Sequence, residues 1–136
     1  MLTVKTKLKE SGVEGMGLFA DEDISKGTVT WRFDKDIDIV FDPEDVEKMP
    51  KEKQNLIKKY AFLSIYSGKY IYSIDDSRFI NHSAKNFNVI NRTKEMKGDE
   101  LIEVASRDIK KGEEILVNYR DFDAHDKTSN EEYLNN

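Results

Sequence analysis

At 136 residues the chain is long enough to bury a core and too short to divide into two folded units, so a single domain, residues 1–136, must carry whatever the protein does. Charged residues make up 36% and the mean hydropathy is -0.71, yet 38% hydrophobic and 10% aromatic content place the chain among globular rather than disordered sequences. A net charge of -5, from 22 Lys and Arg against 27 Asp and Glu, argues against a direct nucleic-acid partner and suits a basic one, while the absence of cysteine excludes disulfides and thiolate zinc clusters and permits a reducing compartment.

The opening MLTVKTKLKESG alternates polar and apolar residues without the apolar core of a leader. With no extended apolar run elsewhere, neither signal peptide nor membrane span is expected, and the default location is intracellular: cytoplasmic, or nuclear in a eukaryotic or viral setting. Gly15-Met16-Gly17-Leu18-Phe19-Ala20 then matches the dinucleotide pattern G-x-G-x-x-G/A, with Asp36 and Asp38 at roughly the right distance downstream. That fingerprint needs an apolar strand before it and a helix N-terminus after it, because the helix carries the phosphate site. Here KTKLKES precedes and a glycine-containing turn follows, so the glycines read as a hairpin turn, or as a turn letting backbone approach a ligand.

Two stretches share the pattern A-x-x-D-I-x-K-G: Ala20 to Gly27 and Ala105 to Gly112. Each continues into a β-prone run, TVTWRF after the first and EEILVNY after the second, which predicts paired strand–turn–strand units. Between them IDIVF reads as a strand, Asp42 before Pro43 as an N-cap opening a helical patch, and Pro50 as its end, with more helix through EKQNLIKKY to about Tyr60. AFLSIYSGKYIYSI predicts a hairpin turning at Ser67-Gly68, and FNVINRT with ELIEVAS another about Lys97-Gly98-Asp99. After Tyr119 a polar tail, residues 120–136, holds isolated Phe122, Tyr133 and Leu134; it either frays or folds back over a cleft. The balance is a mostly β fold with some helix.

The densest chemistry is Arg78-Phe79-Ile80-Asn81-His82-Ser83. Neighbouring residues on an extended chain face opposite ways, so His82 and Ser83 make a poor nucleophile and base pair, and no nucleophile-elbow motif accompanies them. Two histidines, His82 and His125, without HExxH or cysteine offer no metal-ligand spacing, and no metal site is expected. By itself His82 reads as a buried, hydrogen-bonded core histidine.

Taken in order, G-M-G-L-F-A with I-S-K-G-T, then R-F-I-N-H-S, then A-S-R-D-I-K-K-G-E-E-I-L-V-N-Y, the sequence resembles a SET domain, the fold of many protein lysine methyltransferases, over a core of about residues 12–119. The resemblance implies small curled β-sheets in which the segment after N-H-S and the C-terminal stretch thread into a pseudoknot. It implies S-adenosyl-L-methionine as cofactor, held by Gly15, Met16, Gly17, Arg78, Asn81 and His82, with Asn81 meeting its amino-acid end and the His82 backbone its adenine. Tyr119 is then the tyrosine beside the transferring methyl group, and Tyr60 and Phe122 wall the lysine channel. The implied activity is methyl transfer to the ε-amine of a lysine in a protein substrate, in a basic segment given the charge; the alternative is a SET-fold binding module without turnover. The sequence departs from the family where relatives often read N-H-S-C-x-P-N: here Ala84-Lys85-Asn86-Phe87-Asn88 lacks Cys and Pro and is one residue longer before Asn88. Asn118 stands where aspartate is common and Arg120 where glycine is common.

Overall fold

The computed structural model of the chain describes residues 1–97 and 100–136, with 93–97 described as backbone only. Strand β1 (Thr6–Glu10) pairs antiparallel with β2 (Met16–Ala20) around a turn in which Gly15 takes φ 48°. The segment after the glycine pair is thus a strand, which removes the dinucleotide reading. Strand β3 (Val29–Arg32) leads to β4 (Ile39–Phe41), and helices α1 (Pro43–Glu47) and α2 (Lys51–Tyr60) are separated at Pro50. Asp42 occupies the N-cap position of α1, but its side chain makes no capping bond and instead approaches Lys69 Nζ at 3.5 Å. Position was legible there; the cap was not, because the lysine on the neighbouring hairpin competes for the carboxylate.

Strands β5 (Phe62–Leu63) and β6 (Tyr70–Tyr72) form the expected hairpin, with Gly68 at φ 66°, and β6 also pairs with β4. A 3₁₀ turn at Asp76–Phe79 delivers the short strand β7 (Asn81–His82). Strands β8 (Val89–Lys97) and β9 (Glu100–Ala105) pair antiparallel, and β3 completes their sheet in the order β3-β9-β8. The turn expected between them falls at Gly98-Asp99, outside the described residues. Strand β10 (Leu116–Val117) runs parallel to β7, so the C-terminal stretch threads beside the Asn-His segment in the pseudoknot. A 3₁₀ turn at Tyr119–Asp121, helix α3 (Ala124–Thr128) and a last 3₁₀ turn at Glu132–Asn135 follow. No helix among the described residues is long and apolar enough to cross a membrane.

The two A-x-x-D-I-x-K-G segments pair with each other about a local two-fold. Ile24 and Ile109 exchange both backbone bonds at 2.8 Å. Gly27 N–H donates to Ala105 O and Gly112 N–H to Ala20 O, both at 2.8 Å. The aspartates complete the relation: Lys26 N–H meets Asp108 Oδ1 at 2.8 Å and Lys111 N–H meets Asp23 Oδ1 at 2.9 Å. Each repeat thus supplies what the other's turn lacks, and φ values of 85° at Gly27 and 92° at Gly112 explain the glycine closing each copy.

Leu18, Ile24, Ile80, Val89, Ile109, Ile115 and Val117 meet in the main core, which therefore joins both repeats to the knot. Ile109 is fully buried at the centre of the two-fold. Ile109→Ala is expected to lower the unfolding free energy by about 3 kcal/mol in urea titration, the cost of a large-to-small change that leaves a cavity.

Candidate active site

The Asn81 amide is tied to the glycine turn. Its Nδ2 donates to Glu14 O at 3.1 Å, Met16 O at 3.2 Å and Glu114 Oε1 at 3.0 Å. Glu114 also accepts from Ser11 Oγ at 2.6 Å, and its carboxylate lies so close to Gly17 that a Cβ there would collide with Oε1. A side chain at 17 would have to displace this carboxylate, which follows the second repeat, from its bonds to Ser11 and Asn81. Three expected cofactor residues, Gly15, Met16 and Gly17, are thereby brought against a fourth, Asn81. Among the described residues no hydrogen bond uses Asn81 Oδ1, and Val13 and Met16 nearby in the turn expose apolar side chains.

His82 is buried and uses both ring nitrogens. Nδ1 accepts from Tyr119 N–H at 3.0 Å, so the proton sits on Nε2 and is donated to Leu134 O at 3.2 Å. Burial holds its pKa below the usual histidine value, against the opposing effect of the Leu134 carbonyl, and the ring stays neutral at pH 7. Its side chain is a structural latch between knot and tail, so only its backbone is free to meet a ligand. Asn88 locks the same region: 1% exposed, it donates Nδ2–H to Glu114 O at 2.8 Å and accepts Leu116 N–H at 2.9 Å. The longer loop after Ser83 therefore delivers Asn88 into the knot despite lacking Cys and Pro.

Tyr119 lies at the junction. Its hydroxyl donates to Ile80 O at 2.7 Å, the residue before Asn81, and burial, then Tyr133 and the acidic Asp126, push its pKa far above the ordinary phenol value. It remains protonated at neutral pH and can orient and accept, but it cannot serve as a base. Tyr119 is one member of an aromatic row: Trp31 to Phe62 at 6.3 Å, Phe62 to Phe122 at 5.0 Å, Phe122 to Tyr119 at 5.9 Å, Tyr119 to His82 at 5.1 Å and His82 to Tyr133 at 6.1 Å between ring centres.

All of these rings except His82 border a cavity of about 450 Å³ whose wall includes Tyr60, Arg78, Tyr119 and Phe122. Both expected channel residues are there, with Tyr119. Arg78 is there too, its NH1 donating to Tyr72 Oη at 2.8 Å and its guanidinium 5.0 Å from the Phe79 ring centre. Gly15, Met16, Gly17, Asn81 and His82 are not on this wall; they form a separate cradle joined to it through Ile80 and Tyr119. The tail folds back rather than fraying. Leu134 is 1% exposed, Tyr70 Oη meets His125 Nε2 at 2.9 Å, and Arg120 reaches Ser129 O and Asn135 Oδ1, both at 3.4 Å. Arg120, a departure from the family pattern, thus holds the tail, and Asn118 caps the 3₁₀ turn through Arg120 N–H at 3.2 Å.

The cavity wall also carries a row of polar side chains. Trp31, Glu103 and Asn91 are register partners across β3, β9 and β8, and all three reach its wall. Glu103 is 6% exposed, with Oε1 accepting from Thr30 Oγ1 at 2.8 Å. Burial pushes its pKa up to about 7, against the lowering effects of Thr30 and the N-terminal ammonium. Among the described residues Trp31 Nε1 and Asn91 Nδ2 are buried without a hydrogen-bond partner. The signal for this row was a glutamate within the apolar strand ELIEVA.

A search of curated proteins returns no match to the chain. The SET domain family matches residues 15–120, and the chain belongs to it. CpSET8 of Cryptosporidium superposes with a TM-score of 0.61 at 25% identity, over 84% of this chain and 56% of that one. A humanized mutant of Chaetomium thermophilum Polycomb Repressive Complex 2, bound to the inhibitor GSK126, superposes at 0.65 and 25% identity, over 88% of this chain and 15% of that one. A Plasmodium falciparum chain provisionally described as a histone methyltransferase shares the fold at 0.58 and 20% identity, over 85% of this chain and 92% of that one.

The raised pKa of Glu103 makes stability pH-dependent. Below about pH 4.5 the carboxyl is protonated folded and unfolded; between there and pH 7 the unfolded chain releases a proton the folded one keeps, so stability falls. Above pH 7 the loss is constant, about 3 kcal/mol at ~1.36 kcal/mol per unit. Glu103→Gln is expected to match the wild type in urea unfolding at pH 4 and to exceed it by up to that amount at pH 8.

Proposed function

We propose that the chain transfers the methyl group of S-adenosyl-L-methionine to the ε-amine of a lysine in a protein substrate. The observation that carries this reading is the position of Tyr119. Its protonated hydroxyl stands in an aromatic cavity wide enough for an alkylamine and is bonded to the carbonyl preceding Asn81, at the edge of the glycine–asparagine cradle. The cradle residues suit the cofactor. Asn81 Oδ1 has acceptor capacity for an ammonium, Val13 and Met16 offer apolar surface, and the Gly15 turn and His82 backbone bring polar main-chain groups beside them. Arg78 would close the wall between the two regions.

When bound, the cofactor supplies an electrophilic methyl group on a sulfonium. The chain's own residues must do the rest. A lysine amine, whose ordinary pKa is ~10.4, is protonated at pH 7, so presenting it neutral costs about 4.6 kcal/mol. Walls built from Tyr60, Phe62 and Phe122 exclude water and disfavour the charged form. Tyr119, already donating to Ile80 O, keeps lone pairs with which to accept from the amine and fix its direction, which lowers the entropic part of the barrier. The net charge of -5 supports a substrate lysine in a basic segment. Likeness to Polycomb Repressive Complex 2, one structure of which is in complex with H3K27me3 and H3K27M, is consistent with a protein substrate.

Mass spectrometry of basic protein mixtures incubated with labelled cofactor tests the activity; cofactor binding without any transfer would leave a binding module. Asn81→Ala is expected to weaken cofactor binding at least tenfold in titration calorimetry, because it removes Oδ1 and loosens the turn that Nδ2 holds. Tyr119→Phe is expected to keep cofactor affinity within about twofold and to cut turnover at least tenfold, ~1.4 kcal/mol of transition-state stabilisation.

A further inference from the structure

In the polar row of Trp31, Glu103 and Asn91, Glu103 takes a bond from Thr30 Oγ1, and the two donors beside it are left without one among the described residues. A buried hydrogen-bonding group left without a partner costs about 1–3 kcal/mol, and two of these three side chains carry such a group. All three face the cavity that the lysine amine must enter, from one row of the β3-β9-β8 sheet. The set comprises two free donors, Trp31 Nε1 and Asn91 Nδ2, and one carboxyl group. It can hold a water molecule whose oxygen accepts from one of these donors, keeps its second lone pair for the incoming ammonium and points a hydrogen at Glu103.

We propose that Glu103 is the proton acceptor for the incoming lysine ammonium, reached through a water that Trp31 or Asn91 holds. The assignment rests on the lysine-methylating reading and deepens it. The step balances within the cavity: one ammonium N–H bond breaks with its electron pair left on nitrogen, the proton forms an O–H bond on the water while that water's other O–H bond breaks, and the released proton forms an O–H bond on the Glu103 carboxylate, so a cation and an anion become two neutral groups. The proton passes to solvent when the channel empties. Other groups on the wall are less suited. Tyr119 is already protonated and donating to Ile80 O, and Lys58, Lys59 and Arg78 are cations. Asp123 Oδ1 caps α3 through His125 N–H at 2.8 Å, and Asp126 Oδ1 accepts from Tyr133 Oη at 3.2 Å, so both carboxylates are committed to the tail. Glu103 faces Thr30 on its own sheet and feels the Met1 ammonium, while Lys58, Lys59, Arg78, His125, Asp123 and Asp126 supply the remaining charge around the same cavity. Burial places its titration near neutrality, where a group can both take and release a proton.

The test begins on cofactor-free protein with n-butylammonium chloride, which carries the end of a lysine side chain. Carbon-13 NMR of the wild type should show the Glu103 carboxyl titrating near pH 7 and moving to lower pH on saturation with the probe; this needs no variant. Glu103→Gln should bind the probe at least tenfold more weakly at pH 8 while unfolding no more easily than the wild type. With cofactor and a methylated substrate peptide identified, the pH profile of kcat/KM should lose its inflection near 7 in Glu103→Gln. A wild type that transfers methyl groups, with an unchanged profile and equal probe binding in the variant, overturns the role of Glu103 and leaves the methylation reading intact. A carboxyl that titrates near 4.5 and ignores the probe overturns it equally. A wild type that binds the probe through Glu103 yet transfers no methyl group overturns the methylation reading and the acceptor role with it, so the two failures are distinguishable.

Discussion

The parallel pairing of Asn81–His82 with Leu116–Val117 is the constraint on which the site depends. Residues 35 positions apart are set side by side, and two side chains hold them there. Asn88 bonds both to the Leu116 main chain and to Glu114 O, and His82 accepts the Tyr119 amide. Tyr119 is thereby placed beside the segment carrying Asn81, with its hydroxyl on Ile80 O. Net energies of about 1 kcal/mol per bond are modest. Their consequence is geometric, because each bond is at least partly buried and a partner left unpaired would cost more than the bond itself contributes.

The cavity that results combines opposed environments. An aromatic row from Trp31 through Phe62 and Phe122 to Tyr119 lowers the local polarity, and that disfavours a charged amine. The same burial raises Glu103 toward neutrality and Tyr119 far above it. Desolvation thus separates the roles of two titratable groups on one wall: the tyrosine stays protonated, and the carboxyl becomes able to exchange its proton near pH 7. The destabilising carboxylate is a cost in folding that an apolar residue would avoid, which fits a site retained for chemistry rather than packing.

The chain reaches this arrangement without cysteine. The local two-fold between the A-x-x-D-I-x-K-G segments ties the ends of the fold through reciprocal main-chain and aspartate bonds, with Ile24 and Ile109 at its centre. The tail is fastened by Arg120, by the carbonyl of Leu134 on His82 and by Tyr133 against the same ring. Polar contacts to a histidine and an arginine here close a site over which a frayed terminus would leave water.

Strands, turns and helix boundaries were largely legible, because each rests on local chemistry: alternation in TVTWRF and EEILVNY, the glycines of the two turns, and Pro50 between the helices. The order of the glycine pair, the Asn-His segment and the terminal tyrosine pointed to the family, and the cavity wall does include Tyr60, Arg78, Tyr119 and Phe122. Other features required the three-dimensional fold. Asp42 looked like a cap, but Lys69 from another hairpin takes its carboxylate. The tail could have frayed or folded, and what decides it is the buried slot that Leu134 enters above His82. The space beside Gly17 is filled by the carboxylate of Glu114, 97 residues away, and Glu103 faces a cavity beside its register partners Trp31 and Asn91. Local preferences act within a few residues of chain, whereas burial, register and the pKa shifts that follow are set by groups distant in sequence that only the folded chain brings together.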